Sequence, residues 1–137
     1  MKCIALIALT VALSASTFGQ TLEDQRVLIQ MTIDLDELQP YFHVDEVEGR
    51  SPLIIFNDGM VPPTLELTKF GEAVQFMTTA ELFFYNKTAF LDFERFDITP
   101  SQADIELKYS VEGLTITLSF EKKEGTWRVR SKQLVER

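Results

Sequence analysis

Residues 103–130 read ADIELKYSVEGLTITLSFEKKEGTWRVR, and this stretch decides the fold. Ala103, Ile105, Leu107, Tyr109 and Val111 alternate with Asp104, Glu106, Lys108 and Ser110. A period of two marks a strand with one face buried and the other in water. Glu112-Gly113 is a tight-turn candidate. Leu114, Ile116, Leu118 and Phe120 then alternate with Thr115, Thr117, Ser119 and Glu121. After a second turn at Glu124-Gly125, Trp127 and Val129 alternate with Arg128, Arg130 and Lys132. The segment predicts a three-stranded antiparallel meander, with Trp127 as a core residue closing its end.

The expected register follows from the turns. A two-residue turn at 112–113 pairs Tyr109 with Ile116, Leu107 with Leu118 and Ile105 with Phe120. A two-residue turn at 124–125 pairs Phe120 with Val129 and Glu121 with Arg128. The polar face then carries the rows Asp104–Glu121–Arg128 and Glu106–Ser119–Arg130, where opposite charges add tenths of a kcal/mol to about 1. A slip of one residue would turn every apolar side chain to solvent. The basic stripe Arg128, Arg130 and Lys132 is therefore expected to be compensated within the sheet.

Upstream the signals are shorter. Val27, Ile29, Met31, Ile33 and Leu35 alternate with Gln30, Thr32 and Asp34, which predicts another strand. Asp36 is placed to cap a short helical turn over 37–42, early enough to tolerate Pro40. Pro52–Phe56 predicts a short strand ended by Asn57-Asp58-Gly59. Leu65 and Leu67, then Val74 and Phe76, predict two more around a Lys69-Phe70-Gly71 turn. Thr78-Thr79-Ala80-Glu81 matches a capping box ahead of a short helix to Tyr85. Ala89–Ile98 predicts a strand whose alternation changes phase near Glu94, as at a bulge. The fold class expected is mainly β: an antiparallel, curled sheet of seven or eight short strands with one or two short helices, as a half-open barrel or a sandwich.

The first residues address the compartment. Lys2 precedes an apolar run from Cys3 to Leu13, and no acid occurs before Glu23. A signal-peptide core is roughly 7–15 residues long, whereas a membrane-spanning helix needs about 20. Small residues offer cleavage after Ser14, Ser16 or Gly19, with Gly19 favoured. Residues 1–19 thus read as a signal peptide and 20–137 as one exported domain, periplasmic or extracellular, without a transmembrane segment. Cys3, the only cysteine, leaves with the signal, so packing alone must hold the mature domain. Loss of Lys2 leaves 12 basic and 21 acidic residues, a charge of −9. Such an acidic body disfavours nucleic acid and anionic membrane surfaces.

Few constellations carry chemistry. His43 is the sole histidine, and no Gly-x-Ser-x-Gly elbow exists, so a serine relay has little to draw on. The clusters Asp34/Asp36/Glu37 and Asp45/Glu46/Glu48 match no calcium-loop spacing and read as solvated acids. No metal, cofactor or catalytic residue is assigned. Asn86-Lys87-Thr88 fits a glycosylation sequon, relevant only to a eukaryotic secretory route. The one unusual enrichment is aromatic: Phe70, Phe76, Phe83, Phe84, Phe90, Phe93 and Phe96, with Tyr85 among them. Ordinary core packing accounts for such a set; the functional alternative is an apolar cavity that these seven phenylalanines line.

PLIIFNDG at 52–59, LTKFG at 67–71, ELFFY at 81–85, the Glu112-Gly113 turn and GTWRV at 125–129 resemble small exported proteins of Gram-negative bacteria with no assigned function. That resemblance implies an envelope or secreted location and carries no activity or site residue. Three functions remain in view: a non-enzymatic domain binding a protein or envelope component, a carrier of a small lipophilic ligand in a Phe-lined cavity, and a carboxylate-dependent hydrolase.

Overall fold

A computed structural model describes residues 22–137. The predicted signal peptide, its cleavage site and Cys3 lie outside the described residues. Strand outweighs helix, as expected, and the chain forms a single domain. Eight strands occur: β1 (Ile54–Phe56), β2 (Thr68–Lys69), β3 (Glu72–Ala73), β4 (Gln75–Met77), β5 (Leu91–Ile98), β6 (Gln102–Tyr109), β7 (Leu114–Lys123) and β8 (Thr126–Glu136). The helices are α1 (22–33), α2 (Gln39–Phe42) and α3 (Thr79–Phe84), with a 3-10 turn at Asp36–Leu38 before α2 and another at Ser110–Glu112.

The meander of β6, β7 and β8 is present, with one register correction. Tyr109 pairs with Leu114, Leu107 with Ile116 and Ile105 with Leu118, two residues away from the expected pairing. The cause is the 3-10 turn at Ser110–Glu112, which with Gly113 makes a four-residue connection in place of a two-residue one. A shift of two preserves the faces, so Ile105, Leu107, Tyr109, Leu114, Ile116, Leu118 and Phe120 are all buried together. The second turn is as expected, with Glu121 opposite Arg128 and Phe120 opposite Val129. A bulge between Ser119 and Phe120 then realigns the polar rows, so Asp104 and Ser119 face Ser131 and Arg130 drops out of register. The phase change near Glu94 is a bulge between Phe93 and Arg95.

Two expectations are overturned. The segment from Val27 to Ile33 is helix, not strand. Its buried residues are Asp24, Leu28, Ile29, Thr32 and Ile33, spaced for one face of a helix and not for alternate sides of a strand. Leu28 breaks the alternation, and the Thr32 hydroxyl is satisfied inside the helix by donating to the Leu28 carbonyl at 2.8 Å. The sheet is also mixed, not purely antiparallel, and it is not closed. Its order is β4-β1-β5-β6-β7-β8, and β1 runs parallel to both neighbours. The turn before α2 forms, but Asp36 makes no capping bond. Gln39 Nε2 ties the turn instead, donating to the carbonyls of Ile33 and Leu35 at 3.0 and 2.7 Å.

One sheet face carries the main core. Leu28, Ile29 and Ile33 of α1 and Leu38 and Phe42 below it pack on Ile55, Leu91, Phe93, Leu107 and Ile116. Asp24 anchors α1 to the last hairpin by accepting from Trp127 Nε1 and Lys122 Nζ, both at 3.0 Å. Gln30 clasps the backbone of Thr68, and Lys69 meets Asp34 at 3.0 Å, which holds the β2–β3 hairpin against the other side of α1. The opposite face is polar over β6 and β7. Over β1 it is apolar, where Ile54, Met77 and Leu82 form a second, smaller core with Phe56 and Phe90, bordered by Gln75 of β4 and Asp92 of β5.

Candidate functional site

The second core is covered by α3 alone. Thr78 caps that helix, accepting from the Glu81 backbone N–H at 3.3 Å while the Thr78 N–H donates to Glu81 Oε1 at 3.1 Å, the capping box the sequence predicted. Six residues make under two turns, so few positions face the sheet: Leu82 is buried. Phe83, Phe84 and Tyr85 remain 89%, 79% and 57% exposed. Full solvent exposure of neighbouring phenylalanines forgoes the burial that ordinarily holds such side chains, about 1.5–3 kcal/mol each. Phe84 and Tyr85 meet edge to face with ring centres 5.0 Å apart. Asn86, the sequon residue, sits exposed in the left-handed region at φ 55° and turns the chain back, so that the Lys87 N–H reaches the Leu82 carbonyl at 2.8 Å.

Beside this ridge lies an open groove of about 400 Å³ lined by Phe56, Leu82, Phe83 and Phe90, with Lys87 and Asp92 at its margin. Phe56 and Phe90 stack at a tilt, 6.0 Å between centres. Partial burial, then the charges of Glu94 and Asp58, raises the Asp92 carboxyl above its ordinary value, and Lys108 across the β5–β6 pair opposes them.

The seven phenylalanines singled out from the sequence are dispersed by this fold. Phe93 is buried in the main core, and Phe70, Phe76 and Phe96 pack partly buried against it. Phe90 belongs to the second core. Phe83 and Phe84 project into solvent. Of the seven, only Phe83 and Phe90 line the groove, and no one cavity gathers the set. Phe56 and Leu82 belong to the site outside that set, and Tyr85 belongs to it as an exposed ring, not as a cavity wall. The available signal for Phe56 was the unbroken apolar run Ile54-Ile55-Phe56, since a strand apolar on both sides needs cover on both.

The groups with the greatest chemical potential lie elsewhere and are occupied. Arg50, 7% exposed, donates to the carbonyls of Tyr41 and Phe42 and bridges to Glu112 Oε2 at 2.8 Å. His43 Nε2 meets the other Glu112 oxygen at 3.2 Å, and its Nδ1 meets Glu46 at 3.3 Å. The Arg50 hydrogen bond holds the Glu112 carboxyl below its ordinary value, and burial raises the Tyr109 phenol. With both Glu112 oxygens engaged, this cluster is a clasp between the 41–50 segment and the β6–β7 turn. Two of the three acids of the first cluster are likewise paired, Asp34 with Lys69 and Glu37 with Lys132. Among the described residues no three His, Cys, Asp or Glu side chains stand close enough to share a metal ion, and no helix is long and apolar enough to cross a membrane.

Comparison with protein-family models, with curated proteins and with solved structures finds no match to this chain. The functional reading therefore rests on the site alone.

Proposed function

We propose that this chain is exported to the periplasm or the exterior after loss of residues 1–19, and acts there as a non-enzymatic binding domain whose contact surface is α3. The observation that carries the reading is the exposure of Phe83 and Phe84, on a helix that buries only Leu82, and of Tyr85 at its C-terminal cap. A contiguous apolar surface of this kind marks an interaction site in a soluble domain, and aromatic side chains are the usual anchors of such contacts. The engagement of Asp34, Glu37 and both Glu112 oxygens in ion pairs favours binding over catalysis as the main activity.

A photo-reactive residue placed at Phe84 tests this in the native host. Cross-links should form there and fail to form from a control position at Thr117, on the polar sheet face. Silence at Phe84 with the protein folded would refute the reading. The groove supports a second reading, a carrier of a small lipophilic molecule, because about 400 Å³ lies within the usual range of ligand sites, roughly 300–1,000 Å³. Native mass spectrometry separates the two, since a carrier leaves its host with a bound mass of a few hundred daltons.

A further inference from the structure

We infer that the occupant of the α3 surface is a second copy of this chain, packed about a two-fold axis at that helix; the inference rests on α3 being a binding surface and names its partner. A two-fold contact uses the same patch on both subunits, so the patch must complement itself. This one does. The projecting pair Phe84 and Tyr85 directly follows Phe83, itself a wall of the open groove with Phe56, Leu82 and Phe90, so the patch carries both a knob and a hole. A rotation that sets one copy's ring pair over the other's groove does the same in return.

The charges around the patch fit the same symmetry. Residues 82–86 carry none, and the run is flanked by Glu81 on one side and Lys87 on the other, each three positions from Phe84. An axis near Phe84 runs the two segments antiparallel and sets each Glu81 toward the other copy's Lys87. The area is also sufficient. At about 200 Å² for a whole aromatic residue, the exposures of Phe83, Phe84 and Tyr85 amount to roughly 450 Å². Burying the patch on both copies removes roughly 900 Å², and the groove walls carry the total past the about 1,000 Å² that a specific interface requires. The long β8 edge offers no rival surface, because Arg128, Arg130, Lys132 and a bulge are devices that discourage strand pairing.

Sedimentation velocity on the protein purified from cells that make the full chain tests the assignment. Wild-type protein should pass from monomer to dimer between roughly 1 and 100 µM, the strength of an interface of minimal size. Both copies are acidic, so raising salt from about 0.05 to about 0.5 M should tighten the dimer by screening their repulsion. Phe84→Ser should raise the dissociation constant at least tenfold with an unchanged circular dichroism spectrum, and Lys87→Glu should raise it several-fold. A wild-type protein that stays monomeric at 100 µM, or a Phe84→Ser variant that dimerises equally well, overturns the inference. If the monomer instead cross-links from position 84 to another protein, or co-sediments with phosphatidylcholine vesicles, the second copy falls while α3 stands as a binding surface. If Phe84→Ser leaves sedimentation unchanged and the photo-reactive residue at position 84 captures nothing, both readings fall.

Discussion

The two ends of the six-stranded sheet solve the same problem differently. At the β6–β7–β8 end β6 and β7 alternate, one face packs on α1, and the other face is polar enough to need no cover. At the other end the central strand β1 is apolar on both sides, and its outer face has only the six residues of α3 over it. Alternation lets a sheet end in water. Its absence obliges the chain to supply a lid, and this lid is made of residues it cannot itself bury. The exposed aromatics thus follow from the way β1 is built, and they lie where the polar end of the sheet has nothing comparable.

If that contrast is right, the two ends should differ in what a cavity costs. Leu107→Ala at the meander end removes a fully buried side chain from the large core, with neighbours fixed by long strands. We expect a loss of about 3–5 kcal/mol, the upper part of the range for such truncations. Ile54→Ala opens a similar hole in a cluster with only three buried members, roofed by a short helix free to settle. The expected loss there is about 2–3 kcal/mol, since a site that collapses costs less. Urea unfolding with a common slope measures both. Equal losses would show that α3 is as rigid a cover as α1.

The clasp at the turn of the meander sharpens the comparison through pH. Arg50 holds Glu112 below its ordinary value of 4.5, so the folded state prefers the charged carboxylate. The stability from this pair is complete above that value and is lost as the pH falls beneath it through the lowered one. Glu112→Gln keeps the shape, removes the charge and leaves Arg50 buried without an ionic partner. The variant should melt lower than wild type near neutrality, and the two melting curves should draw together as the pH falls below 4.5. A constant gap through that fall would mean that the clasp acts by packing and not by charge.

The sequence was legible where contacts are local and illegible where they are not. The hairpins, the Thr78–Glu81 capping box and the bulge near Glu94 each depend on residues within a few positions of one another, and each is present. The meander register was off by two because Ser110–Glu112 adopts a 3-10 turn that no residue type there demanded. The parallel pairs of β1, a three-residue strand, are made with β4 and β5 across the intervening hairpin and helix, which no short window reveals. α1 was mistaken for a strand because five apolar residues at odd positions outweighed the one that disagreed, Leu28. Its partner at the next turn of the buried stripe is Thr32, a polar residue hidden by its own bond to the helix. The site suffered from the same blindness. The aromatic enrichment was visible, but which rings were core and which were surface depended on which side of the sheet each one fell.

The smallest expected effect is the most informative about that last point. Phe84→Ser deletes a large apolar side chain, which in the main core would cost about 3–5 kcal/mol for a change to alanine. Phe84 is 79% exposed, however, and its ring contact is with Tyr85, itself mostly in water. Its removal should therefore change the stability of the monomer by no more than about 0.5 kcal/mol in either direction. The control is Phe93→Ser, the same chemical change at a ring that is 2% exposed, which should be severe. Measurement below the association range isolates the monomer. A Phe84→Ser loss above 1 kcal/mol would mean that α3 folds its aromatics onto the sheet, and the ridge would then be core. A loss near zero means that this aromatic surface contributes nothing to the fold of a single chain, and that what it contributes is contact with something else.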